Sequence, residues 1–437
     1  MKIHGFNDTK TCESSRKDTR AMSHSIEEIL ARKYQMDDFG RICTIGDLFT
    51  TFSPNVDLEA LAKTDFFPAL ERMMEPVLNT NAPGEELQMP DEHGEENIAY
   101  WASKGMIKEF QGQDKPIDWD EYAKKTGYRW NAEKWNIPQN AHNQYTAFLP
   151  ASARLPENKD RRYPLLIALH GATNNQFLLE GWGFVEEGAK REWIVVIPSM
   201  EVDDFILDVI RDVCEKYPVD PSRIYAAGFS YGGWASNRLG NQYPEIFAAV
   251  APCGAPMDNA WIAGDTEDRE PLPPFDGNPR AQQLGICMPI LNCYGEKDGE
   301  RFPFYNFHGR RFGLSTMETP ADLVAGVNSW LKSNNAPLID IKDVEALKAR
   351  VEAGEAVTLA QKEVGLPVPP ECAKSYIADG VQYHLVSFPS ADGVARVKIL
   401  AEMNIPHWPT PEMIRQIFEF FSHFRRDPET KKSIYAD

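Results

Sequence analysis

The feature that most constrains the fold is a Gly-x-Ser-x-Gly motif at residues 228–232. A strand-like, mostly apolar run at 223–227 precedes it, and a helix-like segment at 234–241 follows it. At so tight a strand-to-helix turn, a side chain on either glycine would collide with the neighbouring backbone. The pattern predicts a nucleophile elbow, in which the Ser230 hydroxyl is exposed and the N-terminus of the following helix is directed at it.

Strand-like and helix-like segments alternate on both sides of the motif. Continuous apolar runs, typical of strands that are buried on both faces, occupy residues 163–169, 193–197, 247–252 and 288–294. A helical repeat of apolar residues at 203–217 separates two of these strands. Alternation of this kind predicts the α/β class, with a doubly wound, mostly parallel sheet and helices on both of its faces.

The outer strands and the last helix have their own signals. Residues 143–149 alternate between polar and apolar side chains and predict a first edge strand. Residues 381–388 and 394–403 flank a short Asp-Gly turn and predict a hairpin. Thr410 followed by proline predicts the start of a final amphipathic helix that runs to about Arg425.

The chain divides into three predicted parts. Residues 1–137 begin as a polar arm and continue as a mainly helical extension. Residues 138–427 form the predicted catalytic domain, with insertions over the site at 255–285 and 299–383, which are too long for plain connections. Residues 428–437 form a short tail.

The tryptophans of the extension have two interpretations. Trp101, Trp119, Trp130 and Trp135 lie close together in the sequence. Such a cluster would suit a sugar platform or an aryl pocket, but it is more typical of a buried seam between an extension and its partner domain.

The composition limits the partners. Asp and Glu number 65 and Lys and Arg 46 in the 437 residues, a net charge of −19, which disfavours nucleic acid and anionic membranes because both are polyanions. The odd number of cysteines forms no C-x-x-C pair: Cys12, Cys43, Cys214, Cys253, Cys287, Cys293 and Cys372. With no signal-like apolar segment and no run of membrane-spanning length, we expect reduced thiols in a cytoplasmic protein. The oligomeric state stays open.

A nucleophilic serine needs a base, and the base needs an orienting acid. On a doubly wound sheet with this elbow, the chain order is serine, acid, histidine. Asp298 is the preferred acid after Ser230 because it follows the strand-like run at 288–294, with Glu296 as the local alternative. His407 is the preferred base, since it lies between a strand and a helix, unlike the other histidines that follow the motif.

An oxyanion formed by attack of Ser230 needs fixed hydrogen-bond donors. The backbone N–H of Tyr231, directly after the serine, is the first candidate. The second donor should come from the loop after the strand at 163–169, with Ala172 as first choice and Thr173 as second.

The last candidate site residue is a substrate contact, and the sequence contains no cofactor or metal motif of the kinds considered. Trp408, directly after His407, is the candidate substrate contact. The sequence has no P-loop, no Gly-x-Gly-x-x-Gly after a strand, no His-Glu-x-x-His and no cysteine ligand set, so it implies no cofactor and no metal.

Four segments also carry a family resemblance: LIALHG at 166–171, VDPSRIY at 219–225, GFSYGG at 228–233 and YPEIFAAVAP at 243–252. They resemble the polyhydroxybutyrate depolymerase and feruloyl esterase group of α/β-hydrolases, which includes carbohydrate esterases of family 1. The resemblance covers about residues 138–427 and is strongest from 163 to 254.

The resemblance implies a serine carboxylic ester hydrolase that works through an acyl-serine intermediate. Ser230, Asp298 and His407 match the catalytic positions, and the implied substrates are small-molecule or oligosaccharide esters such as acylated sugars and hydroxycinnamoyl esters. The chain departs from the group near His407: no glycine lies two or three residues before it, and Trp408 follows it directly.

Two other functions stay open. A serine peptidase of the oligopeptidase type shares the fold and the order of catalytic residues, but it would carry a gating domain, and no blade repeat is visible. A non-catalytic, hydrolase-like binding protein would not need the complete set of acid, base and nucleophile candidates.

Overall fold

The computed structural model describes residues 22, 24–35, 42–53, 55–78, 95–116, 142–171, 176–255, 279–298 and 320–436. Within these ranges, the helices are Ile26–Leu30 (α1), Ile45–Phe52 (α2), Leu58–Leu61 (α3), Phe66–Leu78 (α4), Glu95–Ser103 (α5), Gln176–Glu180 (α6), Phe184–Arg191 (α7), Asp203–Lys216 (α8), Tyr231–Gln242 (α9), Pro279–Leu284 (α10), Pro320–Ser333 (α11), Ile341–Glu352 (α12), Leu359–Val364 (α13) and Pro411–Ser422 (α14). The strands are Lys33–Gln35 (β1), Ile42–Thr44 (β2), Met106–Pro116 (β3), His142–Pro150 (β4), Tyr163–Leu169 (β5), Ile194–Pro198 (β6), Val219–Phe229 (β7), Ala249–Cys253 (β8), Ile290–Gly295 (β9), Ala373–Ala378 (β10), Val381–Pro389 (β11), Ala395–Glu402 (β12), Phe424–Arg426 (β13) and Ser433–Tyr435 (β14).

Ten strands form one central sheet in the order β10-β11-β12-β9-β8-β7-β5-β6-β4-β3. The six strands from β12 to β6 in this order are parallel to one another. At the edges, β10 and β11 on one side and β4 and β3 on the other each pair antiparallel with their neighbours. This arrangement confirms the predicted doubly wound, mostly parallel sheet. β7, which ends one residue before Ser230, lies near the middle of the sheet.

The central strands form where the apolar runs predict them. Every residue of β5, Tyr163–Leu169, is buried, and its bounds coincide with the predicted strand. A residue of a central parallel strand meets packed helices whichever face it points to, so a continuous apolar run suits it. β11 and β12 form the predicted hairpin, and α14 begins at Pro411 with Thr410 as its N-cap, as predicted.

Helices cover both faces of the sheet, as predicted. On one face, α8, α9 and α11 contribute Phe205, Leu239 and Trp330 to a continuous apolar core. On the other face, the helices of the N-terminal extension pack beside α7 and α14, and Phe67 and Phe418 are examples. The described residues of the extension are therefore mainly helical, and their helices cover part of one face of the sheet.

The extension also contributes a strand that the sequence did not predict. β3, Met106–Pro116, is the edge strand of the central sheet, so the predicted edge strand at 143–149 lies one position inside it, as β4. The sequence of β3 contains Lys108, Glu109 and other polar residues, which hide the alternation expected of a strand. The predicted domain boundary after residue 137 stays a prediction, although β3 precedes it.

A buried polar cluster joins the extension to the rest of the described chain. Lys108 Nζ forms an ion pair of 2.7 Å with Glu180 Oε1 and donates to Asn97 Oδ1 at 2.8 Å. Trp101 Nε1 donates to Glu180 Oε2 at 2.9 Å, and Trp101 is buried against Phe148. A buried charge needs such partners, so this cluster anchors α5 and β3 to α6. Trp119, Trp130 and Trp135 lie outside the described residues.

The predicted insertions are described in part. Residues 256–278 and 299–319 lie outside the described ranges. Residues 320–378 form α11, α12, α13 and β10, which pack on one face and one edge of the sheet. In the part of the chain that the structure describes, no helix is long and apolar enough to cross a membrane.

Candidate active site

Ser230 lies at the sharp turn between β7 and α9. Its backbone has φ 58° and ψ −118°, and its N–H donates to the Cys253 carbonyl at 2.8 Å. A positive φ is uncommon for a residue with a side chain and costs free energy, so the surrounding structure must hold it. The strand-to-helix turn predicted from the motif is therefore present, with Ser230 at its apex.

The two flanking glycines hold this turn by steric exclusion. A Cβ atom on Gly228 would lie 2.4 Å from the Gly232 carbonyl oxygen. A Cβ atom on Gly232 would lie 2.2 Å from the Leu169 carbonyl oxygen. Real Cβ atoms do not approach backbone so closely, so no side chain fits at either position unless the turn moves.

Asp298 and His407 form a buried hydrogen-bonded pair. The His407 Nδ1–H donates to Asp298 Oδ1 at 2.6 Å, and the residues are 8% and 1% exposed, respectively. Burial raises the pKa of the Asp298 carboxyl above its usual 3.8, and the adjacent His407 opposes this shift. The carboxylate fixes the orientation of the imidazole and leaves Nε2 on the other side of the ring.

Glu296, the alternative acid, binds elsewhere. Its Oε2 accepts a hydrogen bond from the Asn404 backbone N–H at 2.9 Å, and its Oε1 pairs with Lys297 Nζ at 3.1 Å. The structure therefore brings Asp298, and not Glu296, to the His407 ring, while Glu296 supports the backbone that leads to His407.

The loop that carries His407, residues 403–409, is called the histidine loop below. It packs directly on the turn after β9 that carries Asp298. Lys297 N–H donates to the Ile405 carbonyl at 3.0 Å. A Cβ atom on Gly295 would lie only 2.4 Å from the same carbonyl oxygen. The acid and the base thus lie on two loops that are in backbone contact.

Phe229 and Gly254 connect the serine turn with the acid–base pair. The ring centroids of Phe229 and His407 are 4.6 Å apart. A Cβ atom on Gly254, the residue after β8, would lie 3.1 Å from His407 Cε1 and 3.0 Å from Asp298 Oδ2. β7, β9 and β12 are parallel, so their carboxyl ends bring Ser230, Asp298 and His407 to the same edge of the sheet.

The candidate oxyanion donors are described in part. Tyr231 is the first residue of α9, where a backbone N–H points away from the helix and is not used within it. Its position is therefore the one expected of a donor next to the serine. Ala172 and Thr173 lie outside the described residues.

A buried ion pair lies beside the predicted oxyanion loop. His170, directly after β5, is 2.9 Å from Glu201 Oε1 through Nδ1, and its Nε2–H donates to the Ser199 carbonyl at 3.0 Å. Burial lowers the pKa of His170, but Glu201 and the carbonyls of Gly171 and Ser199 outweigh it and raise the pKa to about 9. Both ring nitrogens face acceptors, an arrangement that favours the protonated imidazole. The sequence did not indicate Glu201 as its partner.

Trp408 does not lie where a substrate contact should. Its side chain is 1% exposed and packs edge-on against Phe49 and Trp182, with ring centroids 6.0 and 5.7 Å away. The predicted substrate contact is therefore wrong for this residue. Trp408 fills the core beneath the histidine loop, because the chain turns inward at this point toward α14.

The described residues contain neither a disulfide bond nor a metal-binding cluster. The described cysteines that form no disulfide are Cys43, Cys214, Cys253, Cys287, Cys293 and Cys372. Across the described ranges, no group of three or more His, Cys, Asp or Glu side chains is arranged to hold a metal ion.

Known proteins match several parts of the chain. The prolyl oligopeptidase family model matches residues 197–283, which include Ser230. A putative esterase, NocK, from Nocardia uniformis subsp. tsuyamanensis is 28% identical over 227 residues, which are 47% of this chain and 55% of that protein. Feruloyl esterase B from Piromyces equi is 37% identical over 108 residues, which are 24% of this chain and 17% of that protein. Poly(3-hydroxyalkanoate) depolymerase C from Paucimonas lemoignei is 25% identical over 136 residues, which are 24% of this chain and 33% of that protein.

The chain spans about half the length of the first of these relatives and a third or less of the other two. Two of the three carry names from the group that the sequence resembles. The central sheet is mostly parallel, and Ser230 follows one of its middle strands. These matches confirm the resemblance to polyhydroxybutyrate depolymerases and feruloyl esterases, and the observed sheet fits the α/β-hydrolase fold that the resemblance implies.

Proposed function

We propose that this protein is a serine carboxylic ester hydrolase that forms an acyl intermediate on Ser230. The observation that carries the proposal is the 2.6 Å hydrogen bond between His407 Nδ1 and Asp298 Oδ1 at the sheet edge where Ser230 follows β7. A buried acid–histidine pair beside a strained serine is the arrangement that activates a hydroxyl for acyl transfer.

The proposed reaction has two half-reactions. His407 Nε2 takes the proton of Ser230 Oγ as the oxygen attacks the ester carbonyl carbon, and a tetrahedral oxyanion forms. The backbone N–H groups of Tyr231 and Ala172 stabilise that oxyanion. The intermediate then collapses, the ester C–O bond breaks, and His407 returns the proton to the departing alcohol. In the second half-reaction His407 takes a proton from a water molecule as its oxygen attacks the acyl carbon. The bond to Ser230 Oγ then breaks, His407 returns the proton to Oγ, and the acid is released.

Asp298 acts through His407. Its buried carboxylate holds the proton on Nδ1, so that Nε2 is the ring nitrogen that can accept a proton. In the proposed mechanism, the carboxylate also stabilises the imidazolium that forms when Ser230 loses its proton. Because the pair is largely removed from water, this stabilisation is stronger than it would be at the surface.

The proposed substrates are small-molecule or oligosaccharide esters, with acylated sugars and hydroxycinnamoyl esters as the first candidates. The names of two matched relatives, a feruloyl esterase and a poly(3-hydroxyalkanoate) depolymerase, support this choice of class. Relative kcat/KM on ethyl ferulate, acetylated xylo-oligosaccharides and a 3-hydroxybutyrate oligomer would rank the candidates.

A serine peptidase of the oligopeptidase type is the second candidate. The match of the prolyl oligopeptidase family model to residues 197–283 favours it, since this segment includes the elbow and the strand after it. Hydrolysis of a proline p-nitroanilide peptide without hydrolysis of p-nitrophenyl acetate would support the peptidase and overturn the esterase.

Covalent labelling tests the nucleophile directly. We expect a fluorophosphonate probe to add to the intact chain once and p-nitrophenyl acetate to be turned over. Peptide mass spectrometry should place the probe on Ser230, and Ser230→Ala should prevent both labelling and turnover. Labelling that persists in Ser230→Ala would contradict the proposal, as would an intact protein that turns over no ester. The latter result would favour a non-catalytic binding protein.

A further inference from the structure

We propose that the N-terminal extension positions the catalytic base, and that Ser53 is the residue through which it does so. This inference rests on the proposed role of His407. Ser53 directly follows α2 and is completely buried. Its Oγ accepts a hydrogen bond of 2.7 Å from the backbone N–H of His407, across 354 residues of sequence.

A second contact joins the same two segments. The Asp57 backbone N–H donates to Asn404 Oδ1 at 3.0 Å, and Asn404 Nδ2 donates back to the Asp57 carbonyl at 2.9 Å. Asn404 has φ 56°, in the left-handed region that asparagine tolerates better than most residues. The Asn404 side chain therefore binds both the N–H and the carbonyl of Asp57 in the extension. Asn404 is the second residue of the histidine loop.

Side-chain packing supports the same contact. Phe49, on α2, is 2% exposed and lies edge-on to Trp408, the residue after His407. Ser53 follows Phe49 by one turn of helix, and its own N–H donates to the Phe49 carbonyl at 2.7 Å. The C-terminal end of α2 therefore places the Phe49 ring against Trp408 and the Ser53 hydroxyl against the backbone N–H of His407.

His407 is held from two sides as a result. The turn after β9 supplies Asp298 to the ring and Glu296 to the backbone at Asn404. The extension supplies Ser53 to the backbone of His407 itself. The buried N–H of His407 needs an acceptor, so without Ser53 the loop would have to shift to find another. A shift of about 1 Å in a catalytic group costs on the order of 100-fold in rate. Ser53 is therefore a positioning residue.

Steady-state kinetics on p-nitrophenyl acetate with the full chain test this inference. For Ser53→Ala we expect kcat to fall about 100-fold and KM to change less than about threefold, because Ser53 acts on the base and not on the substrate. The rate of fluorophosphonate labelling at Ser230 should fall in parallel. Ser53→Thr keeps a hydroxyl at this position and should restore kcat to within about tenfold of the wild type.

The matched control is Thr44→Ala at the other end of the same helix. The Thr44 hydroxyl accepts from the Asp47 N–H at 2.9 Å and caps α2 at its N-terminus. Loss of the Thr44 hydroxyl destabilises α2 but keeps the Ser53 hydroxyl that accepts from the His407 N–H. We expect a lower unfolding midpoint with kcat within about twofold of the wild type.

The outcomes separate the inference from the proposed function. Wild-type kcat in a folded Ser53→Ala overturns the inference alone, and so do equal kcat losses in Ser53→Ala and Thr44→Ala. An inactive wild type overturns both the inference and the proposed function. If Ser53→Ala does not fold, Asn404→Gly replaces it, because glycine keeps the positive φ and removes only the bridge to Asp57. We then expect kcat about tenfold lower, and an unchanged kcat overturns the inference.

Discussion

The serine turn and the histidine loop lie at the same edge of the sheet but are held in place by different means. The turn at Ser230 depends on a local motif, since Gly228 and Gly232 allow backbone approaches that no side chain permits, the Gly232 approach being to the Leu169 carbonyl. His407 is held by partners remote in sequence: Asp298 is 109 residues away and Ser53 is 354 residues away. One half of the candidate site is thus a local motif, and the other half exists only in the folded protein.

The two halves should respond differently to substitution. Steric exclusion at the glycines leaves little room for adjustment, because backbone atoms form both sides of the contact. Hydrogen bonds to the histidine loop are several, and each contributes part of the restraint. Substitutions in the turn should therefore have abrupt effects, and those around the histidine loop graded ones.

The largest effect should follow removal of the nucleophile. Ser230→Ala should lower kcat for p-nitrophenyl acetate by about a million-fold, as loss of a triad serine does in other serine hydrolases. Alanine is smaller than serine, so we expect the unfolding midpoint to stay within a few degrees of the wild type. A variant that keeps more than a hundredth of the wild-type kcat would contradict the role of Ser230.

The second effect concerns the acid. Asp298→Asn should lower kcat about 10⁴-fold, because an amide can donate to His407 Nδ1 and stabilise the wrong tautomer. Glu296→Gln is the matched control, since its amide oxygen still accepts from the Asn404 N–H, and kcat should fall less than about tenfold. Equal losses of kcat in the two variants would show that Asp298 is not the residue that acts as the acid.

The third effect tests steric exclusion at the turn. Gly232→Ala should lower kcat at least about 100-fold, because the new Cβ atom would lie 2.2 Å from the Leu169 carbonyl and must displace the turn. Gly354→Ala is the control: its φ of 72° is unfavourable for alanine, but no atom lies within 4 Å of the new Cβ atom, so it adds backbone strain without a collision. Gly354→Ala should lose stability and keep kcat. A Gly232→Ala variant as active as Gly354→Ala would contradict steric control.

The last and smallest effect concerns His170, beside the serine turn, and is an effect on stability. Its pKa is about 9 in the folded protein and 6.5 ordinarily, so it contributes stability that is fully present below pH 6.5 and lost as the pH rises through 9. The free energy of unfolding from urea titrations should fall by up to about 3 kcal/mol over that window. Glu201→Gln removes the main charge that raises the pKa and should flatten this dependence. An equal slope in both proteins would contradict the ion pair.

Several parts of the molecule were predictable because their causes are local. The buried strand at 163–169 follows from a continuous apolar run, and the turn at Ser230 follows from two glycines four residues apart. Asp298 and His407 were indicated by their place after strands, which parallel topology brings to one edge. Their catalytic roles, like those of Tyr231 and Ala172, stay predictions that the substitutions above can test.

Other parts were decided only by tertiary structure. β3 is a polar edge strand whose Lys108 becomes buried because Glu180 lies opposite it, and no periodicity in the sequence signals this. Trp408 enters the core because Phe49 and Trp182 surround it there. Glu296 and Asp298 have the same side-chain chemistry, and only the fold directs one to a backbone N–H and the other to an imidazole.

The sequence by itself determined the α/β class with a mostly parallel sheet, the serine turn and the order of the chemical groups, because periodicity and the spacing of the two glycines are properties of neighbouring residues. Tertiary structure alone decided which acid meets His407 and that Ser53, in the N-terminal extension, meets its backbone. The physical reason is that a hydrogen bond between residues 354 positions apart forms only after both have been buried together, and a single sequence carries no record of that pairing.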